Sequence, residues 1–494
     1  MGPWGTKPCP TWTEDVMFWR GVIGYLPVNI IQGVVGLLTI VAFTRLLTPA
    51  QFGDYALGFA VMSLVHTAVF TWNEAAMARF WAARSGEGKA VDHNATVLQT
   101  WVVLLGALPV AIAVALLFPL SPGLKLAVLA GLVSVLPRTF ARLAQERRRA
   151  SGEVSGAAMI DLVQTVGGFG LGLILARQGL GGAAPLVGMG LASAACCGLC
   201  LGRELTQSRG GLLDRPLIRD HLAYGMPVAL SLILSLILSS TDRFLLATFL
   251  DQDAVGLYHA GYSLANRTLD VIFIWLGAAG GPALVLALER GGKATLAEAA
   301  REQASLMLVL TIPAAVGLAM VAAPLSELMI GPAMAEGAAR VTPWIAASGL
   351  LAGLTTYYFH QAFTLGQKTP MLLLAMAVPA VANLILNLIL IPRFGLEGAL
   401  YATLTSYGLG LGASIWLGRR SMALPIPWLT LAQAGGAAAL MALAVSQVPA
   451  SGGLVELGLK AGLGGAVYLG LMALLDAGHL RSRALQLFQA RRAA

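Results

Sequence analysis

The sequence predicts an all-α polytopic membrane protein: about 14 transmembrane helices, arranged as two pseudo-symmetric six-helix lobes followed by two C-terminal helices. Three observations predict it. Only 11% of the 494 residues are charged and the mean hydropathy is +0.76, whereas a soluble domain carries about 25% charged residues. The chain is a succession of apolar runs, most near the roughly 20 residues that a crossing needs. Lys and Arg also alternate from one loop to the next. If each run reverses the chain, 24 of the 32 fall on one side and seven on the other, with Arg267 left inside an apolar run. That excess marks cytoplasmic loops and predicts both termini in the cytoplasm. The net charge of +8 then reports topology, and no nucleic-acid partner is expected.

The runs are taken in order. The first, near 21–44, sets Asn29, Gln32, Gly33, Gly36 and Thr39 on one helical face. The second, near 53–80, aligns Ser63, Thr67, Thr71 and Glu74, with His66 and Asn73 beside them. Glu74, with Arg79 near, is a candidate proton carrier or an interfacial carboxylate. The next four runs, near 95–118, 124–144, 156–176 and 180–202, complete an N-lobe over residues 1–203. Arg142 and the run Arg147–Arg149 read as a topology signal, with attraction for anionic lipid headgroups as the alternative. Asp161 sits near the cytoplasmic edge of the fifth run. Cys196, Cys197 and Cys200 lie inside the sixth, and Cys9 stands apart, so no secreted-type disulfide framework is visible. No His or acidic ligand adjoins the three, and they read as packing residues, with no metal site expected.

A C-lobe follows over 204–420, with runs near 221–247, 254–287, 303–325, 341–364, 371–392 and 396–418. Ser231, Ser235, Ser239 and Asp242 form one stripe, and Tyr258, Tyr262, Asn266 and Asp270 another. Asp242, Arg243, Arg267 and Asp270 lie in or beside apolar runs. A mid-bilayer charge costs about 2.5–3.5 kcal/mol, so each must face a partner or a hydrated cavity. Arg267 stands near the middle of the eighth run with Asp270 at i+3. It reads either as an internal ion pair or as a cation offered to an anionic substrate, for which the planar guanidinium fork suits phosphate. Asp242 and Arg243 read as a helix-end pair at the interface or as a gating or ion-coupling site. Tyr357, Tyr358, His360 and Gln361 cluster in the tenth run, and Asn383 and Asn387, at i and i+4 in the eleventh, are set to bond across helices. Residues 421–494 hold the last two runs, near 427–448 and 454–475, and a cytoplasmic tail; Gly458 and Gly462 have the spacing of a packing face.

The two lobes are read from an internal repeat. FGDYALGF (52–59) matches VGLYHAGY (255–262) at an offset of 203, and RQGLGGA (177–183) matches RFGLEGA (393–399) at an offset of 216. Six crossings per repeat make the repeats parallel. The striped runs one, two, seven and eight are expected to present their polar faces to each other. Phosphate-binding GxxxxGK[ST] and the hydrolase patterns HExxH and GxSxG are absent from the sequence, so no ATP hydrolysis, catalytic residue or cofactor is expected.

TRLLTPAQFGDYALG (44–58), STDRFLLATFLDQDAVGLYHAGYSLA (240–265) and NLILNLILIPRFGLEGAL (383–400) resemble the polysaccharide transporters of the oligosaccharide flippase family, within the multidrug/oligosaccharidyl-lipid/polysaccharide exporter superfamily. The resemblance spans most of the chain. It implies flipping of a lipid-linked oligosaccharide on an undecaprenyl diphosphate-type carrier across the bacterial inner membrane, by alternating access of two lobes. It also implies a cationic cavity, which Arg267 fits by position, with Arg45 and Arg243 near the outer mouth. Asn29, Gln32, Glu74, Asp242, Asn266 and Asp270 complete the candidate substrate-binding set. Membrane lipids, a polysaccharide polymerase or glycosyltransferases, and H+ or Na+ as coupling ion are the partners such a protein would have. The competing readings are an ion-coupled exporter of cationic drugs in the same superfamily, a membrane enzyme of the same polysaccharide, and a scaffold.

Overall fold

A computed structural model describes residues 12–476, with side chains described from Pro27 onward except Thr369. Lys7, Cys9, the Arg20 side chain and the arginines at 481, 483, 491 and 492 lie outside it. Helices follow one another throughout, and among the described residues there is no strand. They are α1 Trp12–Leu46, α2 Pro49–Val69, α3 Thr71–Gly86, α4 Ala90–Leu104, α5 Ala107–Leu117, α6 Pro122–Ala150, α7 Val154–Leu162, α8 Gly168–Arg177, α9 Ala184–Ser208, α10 Arg215–Phe249, α11 Gln252–Met320, α12 Ala322–Met329, α13 Pro332–Leu354, α14 Gln361–Leu365, α15 Thr369–Phe394, α16 Leu396–Gly418, α17 Trp428–Ser446 and α18 Gly453–Leu475. Eleven stretches among them are long and apolar enough to cross a membrane. One is α11, which joins two helices at Gly292 (φ 66°, ψ −157°). Such a left-handed backbone angle is tolerated by glycine because no Cβ meets the following carbonyl. π-helical turns at Val163–Gly167 and Thr355–Phe359 interrupt the paths from α7 to α8 and from α13 to α14.

The chain divides into two compact units: Met1–Thr39 with Val61–Leu230, and Ile40–Ala60 with Ser231–Ala494. In the first, α6 packs on α3 and α9, and α8 on α9. Cys196 and Cys200 lie in this core with Leu98, Phe140, Ala141, Ala144 and Ile160. Gly188 lets α8 and α9 meet backbone to backbone, since a Cβ there would overlap the Gly172 nitrogen and the Gly168 carbonyl oxygen. In the second, α11 packs on α13 and α17, α15 on α16, and α17 on α18. The C-terminal pair is held by Met441, Val445, Tyr468 and Met472 against Leu308, Val309 and Ile312. The Tyr468 hydroxyl donates to the Val309 carbonyl at 2.8 Å.

The internal repeat recurs in local geometry. Thr48 Oγ1 accepts from the Gln51 amide at the start of α2 at 3.3 Å, and Asp251 Oδ1 from the Ala254 amide at the start of α11 at 2.8 Å; each cap satisfies an orphan helix donor. The turns of the second matched pair carry Gly179 (φ 87°) and Gly395 (φ 58°). Both pairs stand at the offsets of the sequence repeat.

Candidate functional site

The second unit holds most of the candidate residues. Asp242 on α10 is 0% exposed, and a buried carboxylate needs hydrogen-bond donors in place of water. It has three. Its Oδ2 accepts from the Tyr258 hydroxyl at 2.5 Å and from Thr403 Oγ1 at 2.9 Å, and its Oδ1 from Asn387 Nδ2 at 2.6 Å. The donors come from α11, α16 and α15. Thr403 Oγ1 also lies 2.8 Å from the Ala399 carbonyl, and its single proton serves one of the two. Asn387 Oδ1 and both amide atoms of Asn383, one turn away, are buried without a partner among the described residues. Asp242 is thus not the interfacial helix-end partner of Arg243 that the sequence allowed; low-dielectric burial selects donors from three other helices. Arg243 is itself buried, its guanidinium 4.6 Å from the centre of the Tyr262 ring, a cation–π distance.

Further along α11, Asn266 Nδ2 donates to Asp270 Oδ2 at 2.8 Å. Arg267 is exposed and makes no ion pair among the described residues. The i+3 pair with Asp270 is therefore not formed: the amide of Asn266 holds that carboxylate instead. Arg45, at the end of α1, donates to the Leu328 carbonyl at 2.6 Å and the Met329 carbonyl at 3.3 Å. Phe52, Tyr55 and His259 form an aromatic cluster, with the Phe52 and His259 rings 5.2 Å apart.

In the first unit, Glu74 lies past the break between α2 and α3. It meets His66 rather than Arg79, with Nε2 2.9 Å and 3.1 Å from its two carboxylate oxygens. Both side chains are largely buried. Asn29 is exposed and Gln32 half-buried on α1. The basic run of α6 is mostly structural. Arg147, 1% exposed, donates from Nε and Nη2 to Glu204 at 2.6 and 2.8 Å, and Arg149 donates to Asp161 at 2.8 Å. The paired, buried Arg147 guanidinium is not available to a lipid headgroup, whereas the Arg142 and Arg149 side chains stay partly exposed.

Two features escaped sequence reasoning: Thr403 as a partner of Asp242, and the Phe52–Tyr55–His259 cluster. The signal for the first was a hydroxyl inside an apolar run. Its partner stands 161 residues away, and no local spacing connects them.

A long series of helices apolar enough to cross a membrane, with buried polar networks and an exposed arginine within an apolar span, defines a polytopic helical membrane fold. Solved structures share it. The chain resembles the lipid II flippase MurJ in an inward closed conformation, with TM-score 0.76 and 13% identity over 92% of this chain and 99% of that one. It also resembles an inward-facing multidrug resistance MATE family transporter of the MOP superfamily, with TM-score 0.65 and 15% identity over 81% and 98%. The chain belongs to the polysaccharide biosynthesis protein family, whose model matches residues 42–336. No curated protein matches it in sequence.

Proposed function

We propose that this protein is a flippase for a lipid-linked oligosaccharide on an undecaprenyl diphosphate-type carrier, working by alternating access in the bacterial cytoplasmic membrane with both termini inside. Membership of a polysaccharide biosynthesis family supports the substrate class. The observation that carries the reading is Arg267, an exposed guanidinium within the apolar span of α11 with no ion-pair partner among the described residues. Such a charge is costly unless something anionic meets it, and the guanidinium fork matches the paired oxygens of a diphosphate. Asn266, Asp270, Arg243 and Arg45 are the further candidate contacts in the second unit, and Glu74, Gln32 and Asn29 are the candidates in the first.

Asp242 is the proposed coupling site. Ionised, it accepts from Tyr258, Asn387 and Thr403. Protonated, it donates to Thr403 Oγ1, whose own proton turns to the Ala399 carbonyl. The network has a complete donor assignment in both states, so a proton enters without rearranging the helices. A sodium ion is the alternative, met by Asp242 and the unpartnered amide oxygens of Asn383 and Asn387.

The test is translocation of a polyprenyl-diphosphate sugar by purified protein in proteoliposomes. Arg267→Ala should lower the rate by about tenfold or more, and Arg267→Lys should retain part of it. Full activity of Arg267→Ala would sink the assignment. The likeness to a multidrug transporter favours a second reading, ion-coupled efflux of organic cations. Expulsion of a cationic dye by cells expressing the protein, undiminished in Arg267→Ala, would select it.

A further inference from the structure

The two glycines matched by the sequence repeat meet face to face. A Cβ on Gly53 of α2 would overlap the carbonyl oxygen of Gln252, and one on Gly256 of α11 would overlap that of Pro49. The contact is reciprocal: residues 49 and 252 stand at the same 203-residue offset as residues 53 and 256. Each helix therefore uses its glycine to accept the other's first turn, backbone on backbone. Beside it, a Cβ on Gly331 would overlap the Thr44 carbonyl oxygen, and the Gly331 amide donates to Thr44 Oγ1 at 2.9 Å. Arg45 holds the Leu328 and Met329 carbonyls of the same segment. All these residues belong to the second unit.

We propose that Gly53 and Gly256 form a clamp that closes one end of the transport path, and that the clamp releases each time the path opens there. This rests on the reading of the protein as an alternating-access transporter. The design suits a contact that must form and part. At the glycines themselves backbone carbonyls and Cα atoms meet with no side chain between them, the Phe52, Tyr55 and His259 rings pack alongside, and the ties beside it are a few hydrogen bonds, each of modest net strength. A salt bridge or a leucine seam would hold more tightly and release more slowly. A methyl group on either glycine has no space, since the atom it meets is helical backbone that cannot turn aside as a side chain would.

The experiment reads closure directly on purified full-length protein in detergent, with Cys9, Cys196, Cys197 and Cys200 replaced by Ala. Phe52→Cys reports the clamp, because Phe52 is 1% exposed and packs on His259. Leu132→Cys, also 1% exposed but in the first unit, reports global integrity. Gly53→Ala and Gly256→Ala should each raise the rate of maleimide labelling at position 52 by about tenfold. The double variant should add little, since both act on one contact. Position 132 should stay protected. Gly281→Ala, which meets nothing within 4 Å on the same helix, should change neither rate. Unchanged labelling at position 52, or an equal rise at 132, would overturn the clamp. If neither alanine variant is recovered as a monodisperse protein, Tyr55→Cys with His259→Cys, which keeps both glycines, decides. Bridging of most molecules by a short dithiol-reactive cross-linker supports the clamp, and failure to bridge overturns it. No readout needs a substrate, so the clamp and the flippase assignment fail separately.

Discussion

Asp242 and Arg147 are both buried charges, and their neighbours give them different consequences. Asp242 is held by three neutral donors, so its charge can change while the bonds are kept. Asp242→Asn should leave the fold intact and abolish the dependence of transport on an imposed proton or sodium gradient; flux driven as strongly as in wild type would refute the coupling role. Arg147 is held chiefly by the Glu204 carboxylate, with Glu153 farther off at 3.7 Å, and removing the close partner of a buried ion pair costs up to about 3–5 kcal/mol because the other charge loses its main compensation. Glu204→Gln should therefore lower the melting temperature markedly, as followed by the loss of monodisperse protein on heating. At this scale the sequence marks which residues are unusual. It does not pair them: Arg147 read as part of a basic topology signal, and its carboxylate lies 57 residues on.

Glycines and helix ends decide how the elements meet. Gly188 brings α9 onto the backbone of α8, so Gly188→Leu should force the two apart and reduce stability through overpacking; an unchanged melting temperature would contradict the contact. Tyr468 shows the opposite, a graded tie. Its bond to the Val309 carbonyl fixes α18 to α11, and intramembrane hydrogen bonds average about 0.6 kcal/mol with a maximum near 1.7. Tyr468→Phe should cost an amount in that range and leave transport unaltered. Most helices are legible from the apolar runs, since an apolar segment in lipid must satisfy its own backbone bonds. The π turns at Val163–Gly167 and Thr355–Phe359 and the break after Val69 are not, because they depend on what each helix packs against.

For the whole molecule, the charge rule makes a direct prediction. A green fluorescent protein fused after residue 494 should fluoresce, and an alkaline phosphatase fused there should be inactive; the reverse pattern would invert the topology. The helical membrane class follows from the sequence alone, because composition and run length state how much of the chain lipid can accept, whatever the contacts. The repeat was legible too, because turns built on glycine survive as short matches, as at Gly179 and Gly395. Tertiary structure decided which polar residue answers which. Asp242 turned from Arg243 to Tyr258, Asn387 and Thr403, and Glu74 from Arg79 to His66. The reason is distance along the chain: hydropathy and helical period are local quantities, whereas the partner of a buried charge comes from whichever helix packing brings within 3 Å.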